Sequence, residues 1–206
     1  MKVRILMLIV VLIHISVLFW GSLTNNMIIT YVWHTVTFIA ALYYLFKNKK
    51  KLSSLKKDIK DNWVFLLMAS ILATLGYFGA NMLLANVFGA ETAINEDAVN
   101  ASNLVFVSIN LIVWAPIVEE IVMRYLYRET IVNKIAFTII STLFFGLIHS
   151  LSFYYPITYI LMAGLPYFVI GLYLCLIYNK TGNIFINIIM HALINIVGVV
   201  MIFMAI

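Results

Sequence analysis

Three short patterns hold most of the side chains able to do chemistry. The first is Glu119, Glu120 and Arg124, the second Phe145 and His149, the third His191 and Asn195. Each falls inside a long apolar stretch. Hydrolysis of a peptide bond needs a base for water, a proton donor for the leaving amine and donors for the tetrahedral oxyanion. A carboxylate, two imidazoles and an amide supply all three. No serine or cysteine set competes. Ser108, Ser141 and Ser150 lack a G-x-S-x-G setting. Cys175 is the one cysteine, sits in an apolar run without an activator, and reads as a packing residue that allows neither an internal disulfide nor a cysteine-rich metal site.

Spacing refines the picture. Arg124 follows Glu120 by four residues, one turn along the same helical face, and acid before base is the favourable order. Glu120 is therefore expected to be paired and ionised. Glu119 points about 100° away and has no cation near it in sequence. Pro116 lacks an N–H and should loosen the helix there, freeing a carbonyl. Phe145 and His149 share a face, and Gly146 permits close helix approach. His191 and Asn195 also share a face. His14 and His34 have no second polar residue at helical spacing and read as packing or cavity residues.

The elements carrying these residues follow from composition. Of 206 residues, 65% are hydrophobic and only 10% charged, against about 45–50% and about 25% in soluble domains. That excludes a soluble globular domain, a disordered chain and a typical nucleic-acid binder. Apolar runs lie at about 5–23, 27–46, 63–88, 104–127, 135–154, 157–178 and 184–205. They are too long for barrel strands and should be helices. The expectation is an all-α, polytopic transmembrane bundle of about seven spans, forming one membrane domain over 1–206. Within it, 1–103 would supply peripheral helices and 104–206 the core that carries the motifs. The run at 5–23 exceeds a usual signal-peptide core and no A-x-A site follows it, so it reads as a span.

Orientation follows from charge. Lys2 and Arg4 precede the first run. Lys47, Lys49, Lys50, Lys51, Lys56, Lys57 and Lys60 separate the second and third. Arg124, Arg128 and Lys134 fall at the end of the fourth run and start of the fifth, and Lys180 between the last two. With the N-terminus cytoplasmic, all of them lie at cytoplasmic ends, and 89–103 carries only Glu91, Glu96 and Asp97. In the basic segment 47–61, Leu52, Leu55, Ile59 and Trp63 recur at helical spacing. It reads as a topology determinant, or as an amphipathic surface helix on anionic lipid. Rises of 1.5 Å per residue place Glu119 and His191 about 12–13 Å from the same surface. His149 comes out deeper, at about 22 Å for a straight helix.

Together, E-E-x-x-x-R, F-x-x-x-H and H-x-x-x-N, in that order on separate helices, resemble the motif set of the CAAX protease and bacteriocin-processing family, also called Abi or type II CAAX prenyl endopeptidases. The resemblance covers about 104–205. It implies an intramembrane endopeptidase acting on membrane-associated peptides or proteins, as a multi-pass protein of a bacterial cell membrane. It carries Glu119 to the base that activates water, His149 to the group that orients that water, and His191 and Asn195 to the oxyanion hole. Glu120, Arg124 and Phe145 match as supporting positions. No cofactor is implied. Zinc on His149, His191 and a glutamate is the rival enzyme reading, disfavoured because H-E-x-x-H spacing is missing and Asn195 is a poor ligand. The non-enzymatic rival is a bacteriocin self-immunity or scaffold protein. The expected partners are membrane lipids and a peptide or membrane-protein substrate, with no nucleic acid.

Overall fold

The structure is a computed structural model that describes residues 27–88, 108–150 and 157–205. Every element within them is helical. The run at 5–23, His14 and the 89–103 connection lie outside the described residues. We label the helices α1 (Met27–Lys47), α2 (Lys49–Phe88), α3 (110–130), α4 (Lys134–Ser150), α5 (Ile157–Ala163), α6 (Leu165–Thr181) and α7 (Ile184–Ala205).

The exterior is oily and the interior holds polar groups. Phe46, Leu72, Leu75, Val132 and Ile135 are exposed, whereas Glu120, Arg124, Ser141, Asn183, Asn187 and His191 are buried. Such a surface suits lipid better than water. By length and composition, α2 carries a stretch able to cross a membrane, and α5 with α6 forms another if their 50° bend belongs to one span. Helix α4, with 17 residues, is shorter than the roughly 20 that a span needs. The all-helical expectation holds; seven crossings are not established by the helices themselves.

Two boundaries differ from expectation. Segment 47–61 is not a separate surface helix. From Lys49 it continues without a break into the apolar part of α2, giving 40 residues and a rod of about 60 Å. The run at 157–178 is two helices, because Pro166 stands in the first turn of α6 and Gly164 precedes it. A proline there has no N–H to continue the ladder from α5.

Helix α6 is the centre of the bundle and packs against α4, α2 and α7. Its Leu174, Cys175 and Ile177 are fully buried, as expected for a packing cysteine. The α4–α6 seam is reciprocal. A methyl at Gly146 would overlap the Phe168 ring, and one at Gly171 would meet Phe145 Cβ at 3.2 Å. Each glycine thus receives a ring from the facing helix, which is the close approach anticipated at Gly146. On the opposite face of α6, Tyr173 shares a hydrogen bond of 3.0 Å with Ser70 of α2.

Asparagines and one glycine set the helix ends. Asn133 Oδ1 accepts from the amides of Ile135 and Ala136 and so caps α4. Arg128 donates to the carbonyls of Ile131 and Val132, both at 2.8 Å, just past the end of α3. Gly182 takes φ +57° after α6, a conformation glycine adopts without steric cost. Asn183 then caps α7 through Phe185 N–H at 3.1 Å. Its Nδ2 also reaches Lys51 O at 2.9 Å and Asp58 Oδ2 at 2.7 Å on α2.

Candidate active site

The glutamate pair sits on an irregular helix. In α3 an α-helical segment, Ala115–Glu120, lies between π-helical ones, Asn110–Trp114 and Ile121–Leu126. Pro116 opens the α segment, so the loosening expected at this proline takes the form of a π turn. The Ala115 N–H donates to Asn110 O, five residues back. In that register Leu111 O should receive from residue 116, which is proline and has no N–H. Asn195 Nδ2 fills the vacancy at 2.7 Å. The freed carbonyl therefore has a side-chain partner from α7.

Glu120 and Arg124 are fully buried, with Nε 3.5 Å from Oε2. Arg124 further donates to Ser141 Oγ and Gly171 O, both at 3.4 Å, and its guanidinium lies 4.8 Å over the Phe145 ring. The expected pair is present, and Glu120 does more than balance a charge. Its Oε1 accepts from His191 Nδ1 at 2.9 Å, and its Oε2 from Asn187 Nδ2 at 3.0 Å. An ionised carboxylate only accepts, so the proton on that face of His191 belongs to Nδ1. His191 Nε2 is left facing Glu119, 3.9 Å from Oε2.

His149 is fixed in the same sense. Its Nδ1 donates to Phe145 O at 2.7 Å. The imidazole lies between the Phe145 ring, at 4.4 Å, and the Tyr167 ring, stacked at 4.7 Å. Only Nε2 is free, 3.6 Å from Glu119 Oε2. That oxygen is buried and has no hydrogen-bond partner of its own. Three polar atoms thus converge at distances too long for direct hydrogen bonds and short enough for a shared water. Exposure increases across the group: the His191 side chain is 4% exposed, Glu119 13% and His149 25%. His149 marks the accessible side.

The structure therefore brings Glu119, Glu120, Arg124, Phe145, His149 and His191 into one cluster, with Asn195 one turn beyond His191 on α7. The depth mismatch for His149 disappears. Side chains lean towards the N-terminus of their helix, and α3 and α4 are joined by a three-residue turn, so Glu119 and His149 lean towards each other. Two members escaped the sequence reading. Asn187 lies one turn before His191 on the same face, a signal that was there to be found. Tyr167 has no motif around it. The His34 side chain is not described. Among the described residues, no group of three or more His, Cys, Asp or Glu side chains is arranged to hold a metal ion.

An all-helical bundle with a buried carboxylate–histidine cluster is the kind of protein the three motifs led one to expect. Residues 101–197 match the family model described as Type II CAAX prenyl endopeptidase Rce1-like. This segment, which holds every motif residue, is thus similar to the CAAX protease family. No curated protein and no solved structure matches the chain.

Proposed function

We propose that the chain is an intramembrane endopeptidase that hydrolyses peptide bonds with water activated by Glu119. The observation that carries this reading is Glu119 Oε2, buried, without a partner and faced by two imidazole Nε2 atoms. A water placed there touches Glu119 and His149. Glu119 takes its proton, and the oxygen attacks the scissile carbonyl. His191 and Asn195 hold the oxyanion, and a protonated His149 or Glu119 gives a proton to the leaving amine. His191 Nδ1–H is already committed to Glu120, so His191 donates through Nε2 when both ring nitrogens carry hydrogen. Glu120 is the counter-charge for that form.

The bundle crosses the membrane about seven times with its N-terminus cytoplasmic, as the distribution of Lys and Arg implies. The reaction uses no metal in this proposal. The substrate class is a membrane-associated peptide or protein segment. A fluorophore–quencher peptide ending in a farnesylated CAAX sequence is the first probe, because the matched family is described by that activity. Proteomic comparison of membranes holding wild type or Glu119→Gln extends the search to other substrates.

The test is cleavage by folded, purified variants without added metal. Glu119→Gln, His149→Ala and His191→Ala are expected to abolish detectable cleavage, and Asn195→Ala to leave a slow residue, since losing one oxyanion donor costs about 100- to 1,000-fold in kcat. Full activity in Glu119→Gln would end the glutamate mechanism, whereas no cleavage by the wild type of any substrate tested would favour the immunity or scaffold reading. Activity lost to a chelator and restored by zinc would make the protein a metalloprotease.

A further inference from the structure

We infer that Pro116 is a positioning residue for Asn195: by withholding a backbone N–H from Leu111 O, it leaves a carbonyl that the Asn195 amide satisfies, and this fixes the amide for its work at the oxyanion. The inference rests on the oxyanion role proposed above for Asn195. Its structural half stands on three observations. The Ala115 N–H is spent on Asn110 O. Residue 116, next in the π register, has no N–H to give. Asn195 Nδ2 lies 2.7 Å from Leu111 O, across 84 residues of chain. A carbonyl only accepts, so the amide must turn its nitrogen, not its oxygen, towards α3. One Nδ2 hydrogen is consumed there and the second remains for an oxyanion. His191, one turn earlier on α7, is fixed in the same way by Glu120. Both proposed donors on α7 are thus oriented by acceptors on α3, which also carries Glu119. Base and oxyanion donors are held to one frame.

A thermal double-mutant cycle in detergent reads the structural half without any substrate. Asn195→Ala should lower Tm, because it strands the Leu111 carbonyl. In a Pro116→Ala background the new N–H can serve that carbonyl, and Asn195→Ala should then cost clearly less. Additive Tm shifts would overturn the inference. If Pro116→Ala does not fold, Asn195→Asp sets two acceptors against each other. It should lower Tm at neutral pH more than Asn195→Ala does, and equal values would count against the contact.

The functional half is read with the farnesylated CAAX probe, or with a substrate from the membrane comparison. Pro116→Ala should lower kcat by about 10- to 100-fold, as a displaced group does, with KM unchanged and Tm not reduced. Wild-type kcat in Pro116→Ala, beside a damaged Asn195→Ala, would refute the positioning role and leave the proposed mechanism standing. Wild-type kcat in Asn195→Ala would instead refute the oxyanion assignment, while the melting cycle still decides whether Pro116 directs the amide.

Discussion

Glu119 and Glu120 are neighbours in sequence and opposites in environment. Glu120 is buried against Arg124, His191 and Asn187, whereas Glu119 keeps an oxygen with no partner. Removing Arg124 would leave the Glu120 charge buried with half its support, at a cost of roughly 3–5 kcal/mol for a fully buried pair. Arg124→Ala should therefore lower Tm in detergent, while Glu119→Gln, near the accessible side, should barely change it. Equal melting temperatures for Arg124→Ala and wild type would remove the structural role. Much of this division was legible in advance, because i,i+4 spacing names the pair and leaves Glu119 over. The bond from Glu120 to His191 was not. It spans 71 residues, and no local pattern reports which of two histidines a buried carboxylate will hold.

At the scale of elements, the helices were visible as apolar runs and their irregularities were not. Pro116 announced a disturbance, but whether a helix answers with a kink or a π turn depends on what fills the stranded carbonyl, and that partner lies on α7. Pro166 was equally visible and did split its run in two. The glycine at the α4–α6 crossing was read correctly, since Gly in an apolar helix is costly without a packing reason. Gly146→Ala would drive a methyl into Phe168, and overpacking of this kind costs about 1–3 kcal/mol. A melting temperature below wild type is expected, and one at or above it would show that the seam relaxes freely.

The polar end of α2 adds a pH dependence. Asn183 and Ser54 donate to Asp58 and, together with nearby lysines, hold its carboxyl below the usual carboxylate range. A depressed acid stabilises the fold above its unfolded value of about 4, and that contribution fades as pH falls through the lower folded value. Asp58→Asn should therefore lower Tm at pH 7, and the gap to wild type should close in acid. A gap that does not depend on pH would mean that the carboxylate charge contributes nothing to this junction.

For the whole molecule, the first expectation concerns sidedness. All basic residues fall at one set of ends under the proposed topology, so a reporter fused at Ser53 should read cytoplasmic and one at Asn95 extracytoplasmic. Both on one side would sink the seven-span arrangement. The seam between α4 and α6 has a consequence for traffic. A peptide substrate of the proposed reaction would reach Glu119 either from the accessible side at His149 or by parting a pair of helices. Parting these two would pull Phe168 off Gly146 and Phe145 off Gly171, emptying two close-fitting contacts at once. They should travel as a single wall, with the doorway elsewhere in the bundle. Asn179 and Thr138, hydrogen-bonded at 2.8 Å across the same seam, are sites at which to bolt that wall. A disulfide between cysteines placed there should leave the farnesylated peptide cleaved at the reduced protein's rate, whereas a block relieved by reductant would show that the wall is itself the door.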